Sequence, residues 1–257
     1  MGQILRYRDF LNTYKTRSHR IRHLKDYEWL FPICSSPKLA GIVADLICDG
    51  HLQGDPKWRM DYTSKNIEEL KRFESNMFSL FKVNGKIREC KYNNYSKSYN
   101  IGVNCSPVAR ILLLCGVPSG QKVLQKFGIP KWVKENKECF REFCKRVFTC
   151  EGGIVHDGRK IPQIRMQIWK SEELLKRGDE FTENLCKLMK KYFRIDSTLR
   201  LQKPRLNRKD KILSRPIRIY IFNKSTIKFF EEVGFDGEKQ KTLKALLYSG
   251  LKNGGFP

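Results

Sequence analysis

The stretch Leu39-Ala40-Gly41-Ile42-Val43-Ala44-Asp45-Leu46-Ile47-Cys48-Asp49-Gly50 decides how this chain is read. Leu39, Ile42, Val43, Leu46 and Ile47 fall at the i, i+3, i+4, i+7, i+8 spacing of one broad apolar helix face. Ser36 supplies an N-cap, Pro37 the first helical position, and Gly50 the stop. Ala40, Ala44 and Cys48, with Gly41 beside them, form a stripe of small residues that lets a second helix approach closely. A second stretch, Phe143-Cys144-Lys145-Arg146-Val147-Phe148-Thr149-Cys150-Glu151-Gly152, closes the same way, its acid 102 positions after Asp49. Its large face repeats as Phe140, Phe143, Cys144, Val147 and Phe148, but Arg146 interrupts the small stripe. An acid at a helix C-terminus opposes the macrodipole, so two of them in matching contexts need a reason. A paired metal site supplies one.

The residues after each acid-glycine step repeat as well. Trp58, Met60 and Tyr62 alternate with Arg59, Asp61 and Thr63, and Ile164, Met166 and Ile168 alternate with Arg165, Gln167 and Trp169, which is strand periodicity. A helix succeeds each, Asn66 to Phe81 behind an Asn cap, and Glu172 to Phe193. A second strand pair comes next: 87–91 with 98–104 in the first half, 199–202 with 216–223 in the second. Helices starting at Ser106-Pro107 and Ser225-Thr226 close the halves. The expected order is α-β-β-α-β-β-α twice, an α+β chain of two repeats with antiparallel sheets. The boundaries expected are a basic N-terminal extension over 1–36, a first repeat with linker over 37–130, and a second repeat over 131–257. The extension is read as packing onto the main body or lying along the nucleic acid.

The 257 residues carry 51 Lys and Arg against 27 Asp and Glu, a formal net charge of +24 spread along the chain. Such a surface collects phosphate backbones by counterion release. The hydrophobic fraction of 40% excludes general disorder. From Arg200 to Arg218 there are eight Lys or Arg and one Asp, on two strands and their loop, which favours a DNA-contacting ribbon over a merely solvated face. No apolar run is long enough to span a bilayer and no leader is recognisable, so a soluble intracellular protein is expected, cytoplasmic or nucleoid-associated, an organelle remaining open. Nine cysteines without a Cys-x-x-Cys pair fit reduced thiols. Zinc on Cys139, Cys144 and Cys150 is disfavoured because two of the three fall on the core face. His51 and His156 come just after the acids, but no ligand pattern supports them.

These residues together resemble the LAGLIDADG homing endonucleases, in the single-chain form with two fused repeats. The motif register that ends on an acid and glycine sets Asp49-Gly50 last in the first copy and runs from Cys144 to Gly152 in the second. Ile168-Trp169-Lys170-Ser171, Gly116-Val117-Pro118-Ser119-Gly120-Gln121-Lys122 and Ile129-Pro130-Lys131-Trp132 add to the resemblance, which covers roughly residues 37–250 and looks like the archaeal and organellar, intron-encoded type. It implies two repeats related by a pseudo-twofold axis, motif helices packed along that axis, and sheets forming a basic saddle that reads the DNA major groove. The outward positions Arg59, Asp61, Thr63, Arg165, Gln167 and Trp169 are then contact candidates, with Arg200, Lys203, Arg205, Arg208 and Lys209 of the basic ribbon. Parity leaves open whether Trp169 belongs to the core.

The resemblance further implies that Asp49 and Glu151 are the metal carboxylates, helped by the backbone carbonyls of Cys48 and Cys150. Two or three divalent ions, magnesium by the hardness of the ligands, would activate water and stabilise the leaving oxygen of a phosphodiester. Lys122 and Lys239 would stand near the scissile phosphates, with Lys241 competing with Lys239, and Lys170 and Ser64 would order water. The implied activity is site-specific double-strand cleavage of a long asymmetric target by a monomer. The rival is a silent DNA-binding protein or an intron RNA maturase, with RNA as partner, on the same fold. Asp45 and Arg146 depart from the family pattern at adjacent motif positions, and a cross-helix pair between them would offset the cost of burying either. The basic extension is the third departure.

Overall fold

In the computed structural model, which describes residues 2–16, 18, 26–90, 97–175, 179–206 and 211–252, the chain divides into two compact units. Residues 1–120 and 130–139 make the first, and residues 121–129 and 140–257 the second. The connection is thus shared out differently from a single cut after residue 130. Segment 121–129 belongs with the second unit and segment 130–139 with the first.

The first unit opens with a short two-stranded sheet, β1 (Gln3–Leu5) against β2 (Ile33–Cys34), flanking helix α1 (Tyr7–Leu11). Phe10 and Tyr14 are buried here, and Phe10 meets the rings of Phe31 and Tyr7 at a tilt. The guanidinium of Arg110 lies between the rings of Tyr14 and Trp58, 4.2 and 3.9 Å from their centres. Of the two readings of residues 1–36, the described part shows packing onto the main body. Helix α2 (Pro37–Ile47) then starts where Ser36 accepts the Leu39 N–H, and every residue from Leu39 to Ile47 is buried. Next come β3 (Gly50–Gln53), β4 (Arg59–Ser64), α3 (Ile67–Phe81), β5 (Lys86–Glu89), β6 (Tyr99–Val103) and α4 (Ser106–Leu114). The strands form one antiparallel sheet in the order β3-β4-β6-β5. Its inward row of Leu52, Met60, Tyr62, Ile101 and Val103 packs with Leu70, Phe73 and Met77 of α3 into the core. Trp58, expected on the strand, precedes it at φ 42°, where a bulky residue cannot continue an extended ladder. The short helix α5 (Lys131–Lys134) completes this unit.

Helix α6 (Lys137–Glu151) passes from the first unit into the second at Phe140. The second unit continues with β7 (Gly152–Val155), β8 (Gln163–Ser171), α7 (Glu172–Leu175), α8 (Glu180–Phe193), β9 (Thr198–Leu201), β10 (Arg205–Leu206), β11 (Leu213–Ile221), α9 (Lys224–Glu232) and α10 (Gly237–Lys252). The sheet runs β7-β8-β11, with β9 and β10 both on β11, again antiparallel throughout. In both units the first two strands are followed by the last strand of the sheet, which carries the remaining strand or strands on its other side. Both second helices also end on a basic residue in the left-handed region, Lys82 at φ 55° and Arg194 at φ 57°. The helix expected as one piece from Glu172 to Phe193 is two, because Asp179 accepts the Thr182 N–H and caps a fresh start at Glu180. Helix α10 is an addition the sequence reading did not make.

Asp45 and Arg146 are both fully buried. Each has a partner within its own unit: Arg72 of α3 holds Asp45, and Asp236 holds Arg146. Neither partner was foreseen.

Candidate nucleic-acid interface and acid junctions

Each acid stands where a helix runs straight into the first strand of a sheet. Helix α2 ends at Ile47, Asp49 lies exposed in the turn after it, and Gly50 is already strand. A Cβ on Gly50 would lie 2.7 Å from the Leu46 Cα and 3.0 Å from the Asp45 carbonyl oxygen. Glu151 is the last residue of α6, half-buried, and Gly152 heads β7. A Cβ there would run into the Phe148 carbonyl and lie 3.2 Å from the Phe148 Cα. Glycine is needed for this close approach, and the approach sets each carboxylate at the mouth of its sheet.

The residues around Glu151 are clamped. Asp236 donates its N–H to Thr149 Oγ1 at 3.1 Å and receives Lys145 at 2.6 Å besides Arg146. Burial alone would raise the Asp236 carboxyl, but the Lys145 hydrogen bond and the charge of Arg146 outweigh it and hold the group below the usual carboxylate range. Lys239, in the first turn of α10, donates to the carbonyls of Thr149 and, at 2.7 Å, of Gly152. Its ammonium therefore brackets Glu151 along the chain. Lys241 instead pairs with Glu238 at the surface, 2.7 Å away.

Lys170 is withdrawn from the sheet's solvent face and lines a cavity of about 160 Å³ with Gln125, Phe127 and Asp179. It is 2% exposed, donates to the carbonyls of Lys122 and Gln125 at 3.0 and 2.9 Å, and lies 3.4 Å from the centre of the Phe127 ring. Those three directions use its three protons. Burial drives the ammonium down to about 8, against Asp179 and with a smaller push from Lys122. Its place in the structure is that of a post holding segment 122–125. The half-buried Lys122 is on that segment, in a single helical turn, and packs with the second unit. Ser64 ends β4 on the inward parity of Met60 and Tyr62, and its Oγ accepts the Asn66 N–H at 3.1 Å.

The outward faces carry the polar rows. In the first sheet, His51 pairs with Asp61, Gln53 with Arg59 and Thr63 with Asn100. Arg59 forks onto Asp61 at 2.6 and 2.9 Å, and Asn100 donates to Thr63 Oγ1 at 3.0 Å. In the second sheet, Arg165, Gln167 and Trp169 share the solvent side of β8, Trp169 half-buried beside Pro216. Arg200 faces outward on β9, and Lys203 and Arg205 are exposed beyond it. Arg208 and Lys209 lie outside the described residues. Arg218, part of the basic run but not one of the named contact candidates, lies on β11 opposite both Gln167 and Arg200.

No family model matches the sequence. Two curated relatives do: the tRNA-splicing ligase RtcB of Methanopyrus kandleri, 28% identical over 253 residues, and the replication factor C small subunit of Methanocaldococcus jannaschii, 27% identical over 242. The matches cover 90% and 85% of this chain but 24% and 12% of the relatives, so the chain spans a quarter of their length or less. Among solved structures, the homing endonuclease I-WcaI bound to its DNA recognition sequence superposes with a TM-score of 0.52 at 15% identity, covering 93% of this chain and 98% of that one. WhiA from Thermatoga maritima superposes with a TM-score of 0.51 at 12% identity, covering 86% and 63%. The chain has the LAGLIDADG fold. At these identities the likeness carries the architecture, and the chemistry rests on this chain's own residues.

The acid junctions fit a hard cation. Among the described residues no three His, Cys, Asp or Glu gather into a cage. What each junction offers is one carboxylate beside helix-end carbonyls. Magnesium is held that way, by one or two carboxylates with water and substrate phosphate completing its shell. Of the cysteines considered for zinc, Cys139 and Cys144 are buried, and burial pushes both thiols up. Among the described residues no helix is long and apolar enough to cross a membrane.

Proposed function

We propose that this chain is a divalent-metal-dependent endonuclease that recognises and cuts double-stranded DNA at a long, asymmetric site as a monomer. The observation that carries the reading is the acid junction built twice, each at the head of a sheet whose solvent face is polar and basic. Asp49 and Glu151 would hold magnesium. When bound, the ion supplies a lowered water pKa and charge stabilisation at the leaving oxygen. Lys239, fixed on the carbonyls either side of Glu151, puts positive charge next to that acid, where a phosphate's developing charge is stabilised. Arg59, Arg165, Gln167 and Arg200 would contact the duplex, and the net charge of +24 supplies the salt-sensitive part of the affinity.

The two halves differ in every outward row, so the preferred site should lack palindromic symmetry. That the chain resembles parts of two relatives with different names supports a module with an activity of its own. The test is selection of bound duplexes from a random pool, then incubation of supercoiled plasmid carrying the selected site with and without magnesium. Linear product only with metal supports the proposal. Specific binding without cleavage would assign the chain to the silent DNA-binding class, and preference for structured RNA to the maturase class.

A further inference from the structure

The centre of the second sheet's solvent face holds a built donor array. Ile217 and Ile219 point into the core, so Arg218 between them points out. Its Nε donates to Gln167 Oε1 on β8 at 2.7 Å, and its Nη1 to Gln202 Oε1, just past β9, at 3.2 Å. The Tyr220 hydroxyl lies 3.5 Å from the same Nη1. Arg200 is directly opposite on β9, with its guanidinium 5.6 Å from the centre of the Tyr220 ring. Among the described residues, Nη2 has no partner in the protein. Two arginines facing each other across a ladder cost stability, so their placement calls for an anionic or acceptor-rich occupant.

The two glutamines spend their carbonyl oxygens on Arg218 and so turn their NH2 groups to the remaining directions. The array is then mostly donors: the two N–H of Nη2, one N–H of Nη1 that meets only the long contact to the Tyr220 hydroxyl, and the amide protons on either side. A duplex edge that presents acceptors only is the major-groove edge of guanine, with O6 and N7 side by side. Phosphate accepts too, but a guanidinium bonded on both flanks is held at a fixed angle, which serves a planar two-acceptor edge. Freely jointed lysines suffice for phosphate.

Resting on the proposed DNA function, we infer that Arg218, locked between Gln167 and Gln202, is a specificity-determining residue that reads one guanine in the major groove. The arrangement costs little ordering on binding, because two side chains from neighbouring strands already hold the fork.

The experiment is selection from a pool of random duplexes with the intact chain, in wild-type form and as Arg218→Ala, Arg218→Lys and Lys203→Ala. Each variant's melting is checked first. Wild type should enrich an invariant guanine at one base pair. Arg218→Ala should degenerate that position, with roughly 10- to 100-fold less preference there, and leave the others unchanged. Arg218→Lys keeps the charge but not the fork, so it should lose the preference while keeping affinity for non-cognate duplex. Lys203→Ala should weaken all sequences evenly. An unchanged consensus for Arg218→Ala, or an equal loss at all four base pairs, overturns the inference while leaving the function standing. A wild-type pool with no consensus overturns the function and the inference with it.

Discussion

Replacing Gly50 by alanine tests whether the acid junction is held by close approach. The added methyl would lie 2.7 Å from the Leu46 Cα, 2.9 Å from its Cδ2 and 3.0 Å from the Asp45 carbonyl oxygen. Carbon atoms in contact rest about 3.5–4.0 Å apart, so roughly 1 Å of overlap must be relieved. Two of the three obstructing atoms are backbone of α2, whose last turn is fully buried and cannot give way. The strand must lift from the helix instead, at an expected cost of about 2–3 kcal/mol in urea unfolding. Asp49 is the residue before the clash, so it moves with the strand. Displacing a catalytic group by about 1 Å costs on the order of 100-fold in rate. Gly153→Ala is the control, since a Cβ there meets nothing within 4 Å, and it should be neutral or gain about 0.4–1 kcal/mol. If Gly50→Ala unfolds at the same urea concentration as Gly153→Ala and cuts as fast as wild type, the junction argument is wrong.

Arg146→Ala leaves Asp236 with Lys145, whereas Asp236→Ala takes a carboxylate from two cations, so the second should destabilise more, and a double-mutant cycle should return a coupling of about 1–3 kcal/mol. Additive effects would show that the pair is not energetically joined. Because the folded Asp236 carboxyl is held below its ordinary 3.8, its contribution is present above that pH and lost as pH falls through the folded value. Asp236→Asn should therefore flatten the acid limb of the stability curve, and an unaltered limb would count against it. Lys170 carries the opposite kind of dependence. Its folded value of about 8 lies below the ordinary 10.5, so between those pH values the unfolded chain binds more protons and stability rises with pH. Wild type should gain on Lys170→Met across that window, and a constant difference would mean the ammonium is not buried. DNA affinity should fall linearly on a log–log plot against salt, and a slope near zero would refute phosphate-driven binding.

Much of this fold is written locally. Ser36-Pro37 and Asn66 cap helices where their side chains say they should, and the alternation at 59–64 and 163–169 gives the strands their faces. The inward places of Lys170 and Ser64 are legible too, from strand parity. Each continues the inward series of its strand, Ile164-Met166-Ile168 and Met60-Tyr62. Lys170 is accordingly buried on two carbonyls, and Ser64 spends its hydroxyl on the Asn66 N–H. What could not be read is what depends on distant contacts. Arg146 looked like an intruder in a small-residue stripe because its partner Asp236 is 90 residues away. Arg218 looked like one more charge in a basic run until the register set it between Gln167 and Arg200. The left-handed caps at Lys82 and Arg194 carry no glycine to announce them.

The central claim is that Asp49 and Glu151 are metal-holding acids of a DNA-cutting enzyme. Single-turnover cleavage of the selected site with magnesium, for wild type, Asp49→Asn and Glu151→Gln, tests it most directly when binding of the same duplex is measured alongside. The account predicts metal-dependent cutting by wild type, loss of double-strand cleavage in both variants, and affinities close to wild type. Cutting by either variant at the wild-type rate would contradict it.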